Sequence, residues 1–422
     1  MTLTRWEWLG PGNIGGRTRG IVVDPGHPNK MWAASAGGGV WITRNGGAKW
    51  APVDDFLGNL ACACLAMDPS DPATIYVGTG EGFSNVDALR GNGVFRTTDA
   101  TTWAPLPATQ TADFRGVTRI AVSASGAVVL AATDTGLFRS ADPARATWTR
   151  VLGVPLGQVV FAPGDEKRAV AGALNAGEAW VSADGGVTWQ AATHGPWSGR
   201  VELAYAVKDP TVVYASVQAQ TGRIWRSTDG GRTYQIRKTK DPTGQVADYL
   251  GDQGWYSNAI WAGDPTDADL IVTGGVDLWR STDGGDHLAE ISTWWDPASA
   301  HADHHAIVSH PPTTGCTTGR CSSATTAGCS RRWTSRWWGR SRRRRSSTAG
   351  PSWTTTTASR SSSPVPATPS AERSSAVRRT TAPSCSTPRP APRDGRSSRA
   401  ATAAGAPATR PTPPSSTAST SS

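Results

Sequence analysis

Ser182 to Trp189 reads SADGGVTW, and the chain repeats it. Close copies stand at Thr43 to Trp50 (TRNGGAKW), Ser227 to Tyr234 (STDGGRTY) and Ser281 to Leu288 (STDGGDHL), and looser ones at Thr97 to Trp103 (TTDATTW) and Ser140 to Trp148 (SADPARATW). Each has the chemistry of a hairpin turn. A hydroxyl and, two residues on, an Asp or Asn side chain offer oxygens to turn N–H groups, the paired glycines of the four close copies accept positive φ, and in all but the copy at Ser281 a closing aromatic folds back on the sheet. The aspartates Asp184, Asp229 and Asp283 are therefore assigned to tying turns, not to chemistry.

The six copies begin at 43, 97, 140, 182, 227 and 281, a spacing close to the roughly 40–50 residues of one four-stranded propeller blade. An aromatic strand end precedes each copy, as in GEAWV before Ser182 and VDLWR before Ser281. Further upstream a second unit recurs, two apolar runs around an Asp-Pro turn: IVVDPGHPNKMWAAS, LAMDPSDPATIYVGT, VKDPTVVYASV and WAGDPTDADLIVTGG. Short β-rich runs without a long helical period predict an all-β fold, a β-propeller of four-stranded antiparallel blades. About six blades fit into residues 1–310, with the first strand of a seventh at His305 to His310. The array is expected to be incomplete, with an unpaired edge where it stops.

Composition divides the chain at Pro311. Of 42 Lys+Arg and 33 Asp+Glu residues, the tail 311–422 holds 18 Arg and two acids, so the repeats are acidic and the tail strongly basic. From Pro312 onward there is no Leu, Ile, Met, Phe, Tyr, Lys, Asn, Gln or His, and such a chain has no core to bury. The tail is expected to be disordered, without a fold. Its residue types, apart from Val365, Glu372, Val377 and Asp394, all have G or C as second codon base. That is the signature of a GC-rich gene translated out of frame. Shifted back, Arg320 to Ser330 permits Thr-Leu-Phe-Ile-Gly-Asn-Asp-Gly-Gly-Val-Phe, and Thr409 to Ser421 permits a copy of the Asp-Pro turn unit. On that reading the run Arg342 to Arg345 is no nucleic-acid arm, and Cys316, Cys321, Cys329 and Cys385 carry no message. Cys62 and Cys64, two apart on a strand, are expected to be small buried hydrophobes on one face. No stretch is apolar enough to span a bilayer, and the opening MTLTRWEWLGPGNIGG lacks a leader's apolar core. Localisation stays open.

Chemistry is sought where loops converge on a propeller's central channel. The longest is Gly78 to Gly93, GTGEGFSNVDALRGNG, which offers Glu81, Asp87 and Arg90, an acid pair and a cation. In Asp248 to Trp261 a carboxylate, Asp252, stands near Trp255 and Tyr256, aromatic faces suited to a sugar ring. Glu81 and Asp252 form the candidate catalytic pair, and Asp87, Arg90, Trp255 and Tyr256 the candidate ligand contacts. If HADHHAIVSH is extended from His301, then His301, Asp303 and His305 share a face and present metal-ligand chemistry, although no metal or other cofactor is required.

The repeated Ser/Thr-x-Asp-x-Gly-x-Thr-Trp resembles the Asp-box, or BNR repeat, of sialidases, sortilin-type receptors and propeller glycosidases such as xyloglucanases. WLGPGNIGGRTRGIVVDP followed by AASAGGGVWITRNGGAKW is similar to the first blade of xyloglucanase-type proteins. That resemblance implies a propeller that acts on or binds glycans. It would place an Asp ahead of the Gly-Gly, and this chain has Ala36 there. The sialidase resemblance implies an Arg-Ile/Leu-Pro motif, which is absent, although Arg17, Arg19, Arg115 and Arg119 are present. The sortilin resemblance implies a peptide-binding propeller without chemistry. A third outcome is a truncated product with no function.

Overall fold

In a computed structural model, residues 17–334 are described apart from 55–56, 84, 297–298, 311–319 and 326–327, and for 320–325 and 328–334 only the backbone is considered. The opening 1–16 and most of the tail, including its Arg run and Val365, Glu372, Val377 and Asp394, lie outside the described residues. Contacts group residues 1–345 into one unit.

Six antiparallel four-stranded sheets follow one another along the chain, each with its strands in sequence order. A seventh sheet of three strands closes the series. The innermost strands of blades 1 to 7 are Thr18–Val23, Cys62–Met67, Val117–Val122, Leu156–Ala162, Val201–Tyr205, Ala259–Trp261 and His304–His310. The fold is the expected all-β propeller. Its core is a set of apolar layers between consecutive sheets. Trp32, Ile42, Leu65 and Val77 lie between blades 1 and 2, for example, and Leu203, Val213, Val170 and Val181 between blades 4 and 5.

The ring of innermost strands is closed, unlike the open array expected from the sequence. Ala306 and Val308 of blade 7 pack on Ile21, Val23 and Met31 of blade 1, while Ile307 packs on Trp261 and Val272 of blade 6. One further strand's worth of apolar alternation after Asp303 is enough to supply this last layer. Among the described residues blade 7 has three strands where the other blades have four. Two tail segments, Arg320–Thr325 and Gly328–Thr334, add to His304–His310 in antiparallel order, so this part of the tail is not without structure.

The recurrent octapeptides form the hairpins between third and fourth strands. Ser182 Oγ donates to Asp184 Oδ1 at 2.8 Å and accepts from Gly186 N at 2.9 Å, while Asp184 Oδ1 accepts from Thr188 N at 2.9 Å. Ser227 with Asp229 and Ser281 with Asp283 repeat the pattern. These bonds, led by those from the Thr188 hydroxyl and N–H, hold the Asp184 carboxyl down at about 2. The two roles differ in depth. Gly186 N is buried, whereas the N–H groups facing Asp184 are exposed. Ser182→Ala is therefore expected to cost about 1–3 kcal/mol by stranding a buried donor, and Asp184→Ala only about 1 kcal/mol, because water replaces the carboxylate. Urea denaturation of the two variants checks the order.

Cys62 and Cys64 are buried and unpaired, but they do not share a face. A bulge between them offsets the register against Thr79 and Gly78, so Cys62 joins the layer toward blade 1 and Cys64 the layer toward blade 3. Burial pushes both thiols up to about 12.

Candidate functional site at the channel mouth

In a sequential antiparallel blade, the turns joining strands 1–2 and 3–4 lie on one face of the propeller. The 2–3 turns and the blade-to-blade connections lie on the other. The octapeptide hairpins occupy the first face. The loop 80–93 of blade 2, the connection 237–258 into blade 6 and the connection 291–303 into blade 7 all lie on the second, where the innermost strands begin. The expected convergence of candidate loops is thus imposed by topology.

Loop 80–93 is pinned across this mouth by backbone bonds, Gly80 N to Ala61 O at 2.7 Å and Gly91 N to Arg115 O at 2.8 Å. At Gly80, φ is +86° and a Cβ would stand 1.9 Å from the Arg115 carbonyl oxygen, so only glycine fits. The turn directs Glu81 inward. Its Oε2 accepts from Arg17 at 2.7 Å and its Oε1 from Arg19 at 3.1 Å. Asp87, at the exposed rim, pairs with the other arm of Arg17. On the far side of the channel, Glu202 Oε1 accepts from Arg200 at 2.6 Å and Glu202 Oε2 from Arg119 at 3.3 Å. Between the two clusters, the Arg19 and Arg200 guanidiniums stand 4.7 and 4.4 Å from the centre of the Phe83 ring. Both also donate to the Tyr256 carbonyl, at 3.4 and 2.8 Å. Arg19 is 4.4 Å from the Tyr256 ring as well, a cation–π contact.

His305 completes the layer. Arg19 donates to its Nδ1 at 3.1 Å, which fixes the neutral tautomer with hydrogen on Nε2, and the Tyr256 ring meets the imidazole edge-on at 4.9 Å. Burial, then Arg19 and Arg200, hold the His305 pKa well below its ordinary value. Burial likewise brings His304 down to about 3. Burial also lowers Arg19 and Arg200, although each has a carboxylate partner.

Glu81, Asp87, Tyr256 and His305 thus come together. Asp252 does not: it is exposed on its loop and makes no hydrogen bond or ion pair with the cluster among the described residues. Arg90 turns away from the loop's acids and stands 4.0 Å from Asp134, so the cations of the loop are Arg17 and Arg19. The strand of blade 7 begins only at His304, and Asp303 takes φ +65°, so His301, Asp303 and His305 do not share one extended face. His301 is exposed, and no group of three metal-ligating side chains occurs among the described residues. Trp255 is 42 % exposed, and its ring tilts against Tyr256 at 5.3 Å. Sequence reasoning did not single out Arg200, Glu202 and Phe83. Glu202 in VELAY and Arg119 in VTRIAV carried a signal, as charges inside strands that bury both faces.

No family model matches the chain. The architecture defines a β-propeller protein. In sequence, the chain is 28 % identical over 290 residues to a xyloglucanase of a Paenibacillus species, a match covering 63 % of this chain and 26 % of that protein. It is 27 % identical over 195 residues to an oligoxyloglucan-reducing end-specific xyloglucanase of Emericella nidulans, covering 42 % of this chain and 24 % of that protein. The chain spans about a quarter of the length of these curated relatives. Its fold is similar to a GH74 xyloglucanase from Xanthomonas campestris (TM-score 0.56, 20 % identity, covering 75 % of this chain and 51 % of that one). It is also similar to YCF48 from Cyanidioschyzon merolae (TM-score 0.51, 13 % identity, covering 76 % and 96 %).

Proposed function

We propose that the channel mouth binds a glycan and that this chain holds the sugar without cleaving it. The observation that carries this reading is a rim of exposed indoles on the mouth face. Trp255 lies on the connection into blade 6, and Trp294 and Trp295, 51 % and 70 % exposed, lie on the connection into blade 7. Large aromatic faces left in water beside a layer of buried polar side chains suit the stacking of pyranose rings. The xyloglucanase relatives favour the same ligand class, and the repeated hairpins fit the Asp-box reading.

Cleavage fits less well. A glycosidase needs a carboxyl that donates a proton to the leaving oxygen and a second carboxylate across the bond. Glu81 and Glu202 are each taken up in ion pairs with two guanidiniums, and Asp252 stands apart from both. Ala36, buried at the start of the 2–3 turn of blade 1, offers no carboxylate where the glycosidase resemblance would have one.

Calorimetric titration with xyloglucan oligosaccharides, beside a reducing-end release assay, tests the reading. Binding without release is expected. Trp294→Ala and Trp295→Ala should each weaken binding by about 1 kcal/mol, roughly fivefold, at unchanged melting temperature. Affinity unmoved in a Trp255→Ala, Trp294→Ala, Trp295→Ala triple variant would sink the rim. Release of reducing ends would restore the hydrolase, and binding of extended peptides in place of sugars would favour a sortilin-like role.

The tail supports a second inference, that it is translated out of frame. The shifted reading places Asn-Asp-Gly-Gly over residues 325–328, where one strand ends at Thr325 and the next begins at Gly328. Sequencing the gene around codon 311 decides it, and a single uninterrupted frame would refute it.

A further inference from the structure

On the face of the octapeptide hairpins, away from the mouth, a cavity of about 290 Å³ opens between blades 2 and 3. Three charged side chains line it, Asp68, Arg96 and Arg145, and among the described residues none of them enters an ion pair. Arg145 is 4 % exposed, and a guanidinium so deep ordinarily faces a carboxylate. Here it donates instead to the Tyr76 hydroxyl at 3.1 Å and to the carbonyls of Gly126, Ala127 and Asp142 at 2.5, 3.0 and 2.9 Å. Its backbone is just as unusual. Trp148 Nε1 donates to the Arg145 carbonyl as Trp189 Nε1 does to that of Gly186, both at 3.1 Å, so Arg145 occupies the place of the second hairpin glycine. It takes φ +56° there, a strained conformation for an arginine.

Asp68 is 7 % exposed, and its Oδ1 accepts from Ser70, but its Oδ2 accepts from no described residue. Gly126 keeps acid and base apart: its carbonyl accepts from Arg145, and a Cβ on it would collide with Asp68 Oδ2. The corresponding groove between blades 5 and 6 is closed on itself. There Tyr214 and Arg226 pair in the register of Tyr76 and Arg96, and Arg226 meets Asp269 of the next 1–2 turn at 3.2 Å. The 1–2 turn of blade 3, 123–128, has no acid, and Arg96 has only the Pro143 carbonyl, at 3.0 Å.

We propose that this cavity binds a free α-amino acid with a small apolar side chain. Its carboxylate seats on the unused N–H groups of Arg96 and Arg145, its ammonium on Asp68 Oδ2, and its side chain along Ala127, Ala141 and Pro143. A simple anion would leave Asp68 without a partner, and a neutral ligand would leave all three charges so. The site is separate from the channel mouth and independent of the glycan reading.

Calorimetric titration of the whole chain with L-leucine, N-acetyl-L-leucine, L-leucinamide and inorganic phosphate tests this. L-Leucine is expected to bind at least about tenfold more tightly than its acetylated or amidated form, since each lacks one charge. Arg96→Gln and Asp68→Asn, the second of which keeps the acceptor for Ser70, should each weaken L-leucine binding at least about tenfold. Melting curves report folding, and the leucine series on the unaltered protein decides the matter if the variants do not fold. Either derivative binding as tightly as L-leucine overturns the zwitterion assignment, as does phosphate binding more tightly. L-Leucine affinity unmoved in both folded variants, or no binding of any of the four, overturns the site.

Discussion

Glu202→Ala is expected to destabilise the protein by about 3–5 kcal/mol, a large part of the stability of an ordinary domain. The carboxylate is 2 % exposed in its side chain and is the acidic partner of both Arg200, 1 % exposed, and Arg119. Removing it leaves cations stranded in a dry layer beside a third, Arg19. Glu81→Ala acts in the same sense through Arg19 and Arg17. Asp252→Ala, at an exposed site outside the cluster, should stay within about 0.5 kcal/mol. Urea or thermal denaturation of the three variants checks this. Wild-type stability in Glu202→Ala would show that the paired arginines are solvated after all.

Acid should unfold the protein earlier than carboxylate titration alone would. The free histidine value is near 6.5, and both His304 and His305 are held below it in the folded chain, His304 at about 3. Between those values the unfolded chain binds more protons, so the stabilisation is complete above about pH 6.5 and declines as pH falls toward the folded values. Each histidine removes up to about 1.4 kcal/mol per pH unit over that span. For His305 the protonated ring also loses the acceptor that Arg19 uses. Melting temperature followed from pH 8 to pH 4 should fall most steeply below about 6.5, and His304→Phe should flatten the slope. A flat profile down to pH 5 would contradict the burial of both rings.

The fold was legible because its signal is repeated: six hairpins at blade spacing, each after an aromatic strand end, leave little choice of architecture. Closure was not legible, since it depends on which apolar faces remain for Ala306 and Val308 to cover. The site was half legible. Loop length and acid content marked Glu81 and Asp87, but the cations that hold them, Arg17 and Arg19, come from the start of blade 1, some 60 residues upstream. Arg90, adjacent in sequence, was the natural partner on paper and turned elsewhere. His301, Asp303 and His305 alternate correctly for an extended strand, and a single positive φ at Asp303 undoes the alternation. Asp tolerates that region better than most residues, but nothing in the neighbouring sequence demands it. The bulge between Cys62 and Cys64 is the same kind of hidden offset.

Closure of the ring by blade 7 also sets the order in which the molecule can be made. Blades 1 to 6 join neighbours in the chain and can form progressively, but the bond from Arg19 to His305 spans 286 residues, and the layer of Ile21, Met31 and Ala306 has no local precursor. Contacts of such high order form late, and the entropy of bringing distant ends together is smaller once the intervening blades are stacked. Until that moment, blade 1 carries a bare apolar flank and an arginine without its imidazole. The meeting of first and last strands is thus expected to limit the rate of refolding, and an emerging chain is expected to be most open to aggregation in the interval before it.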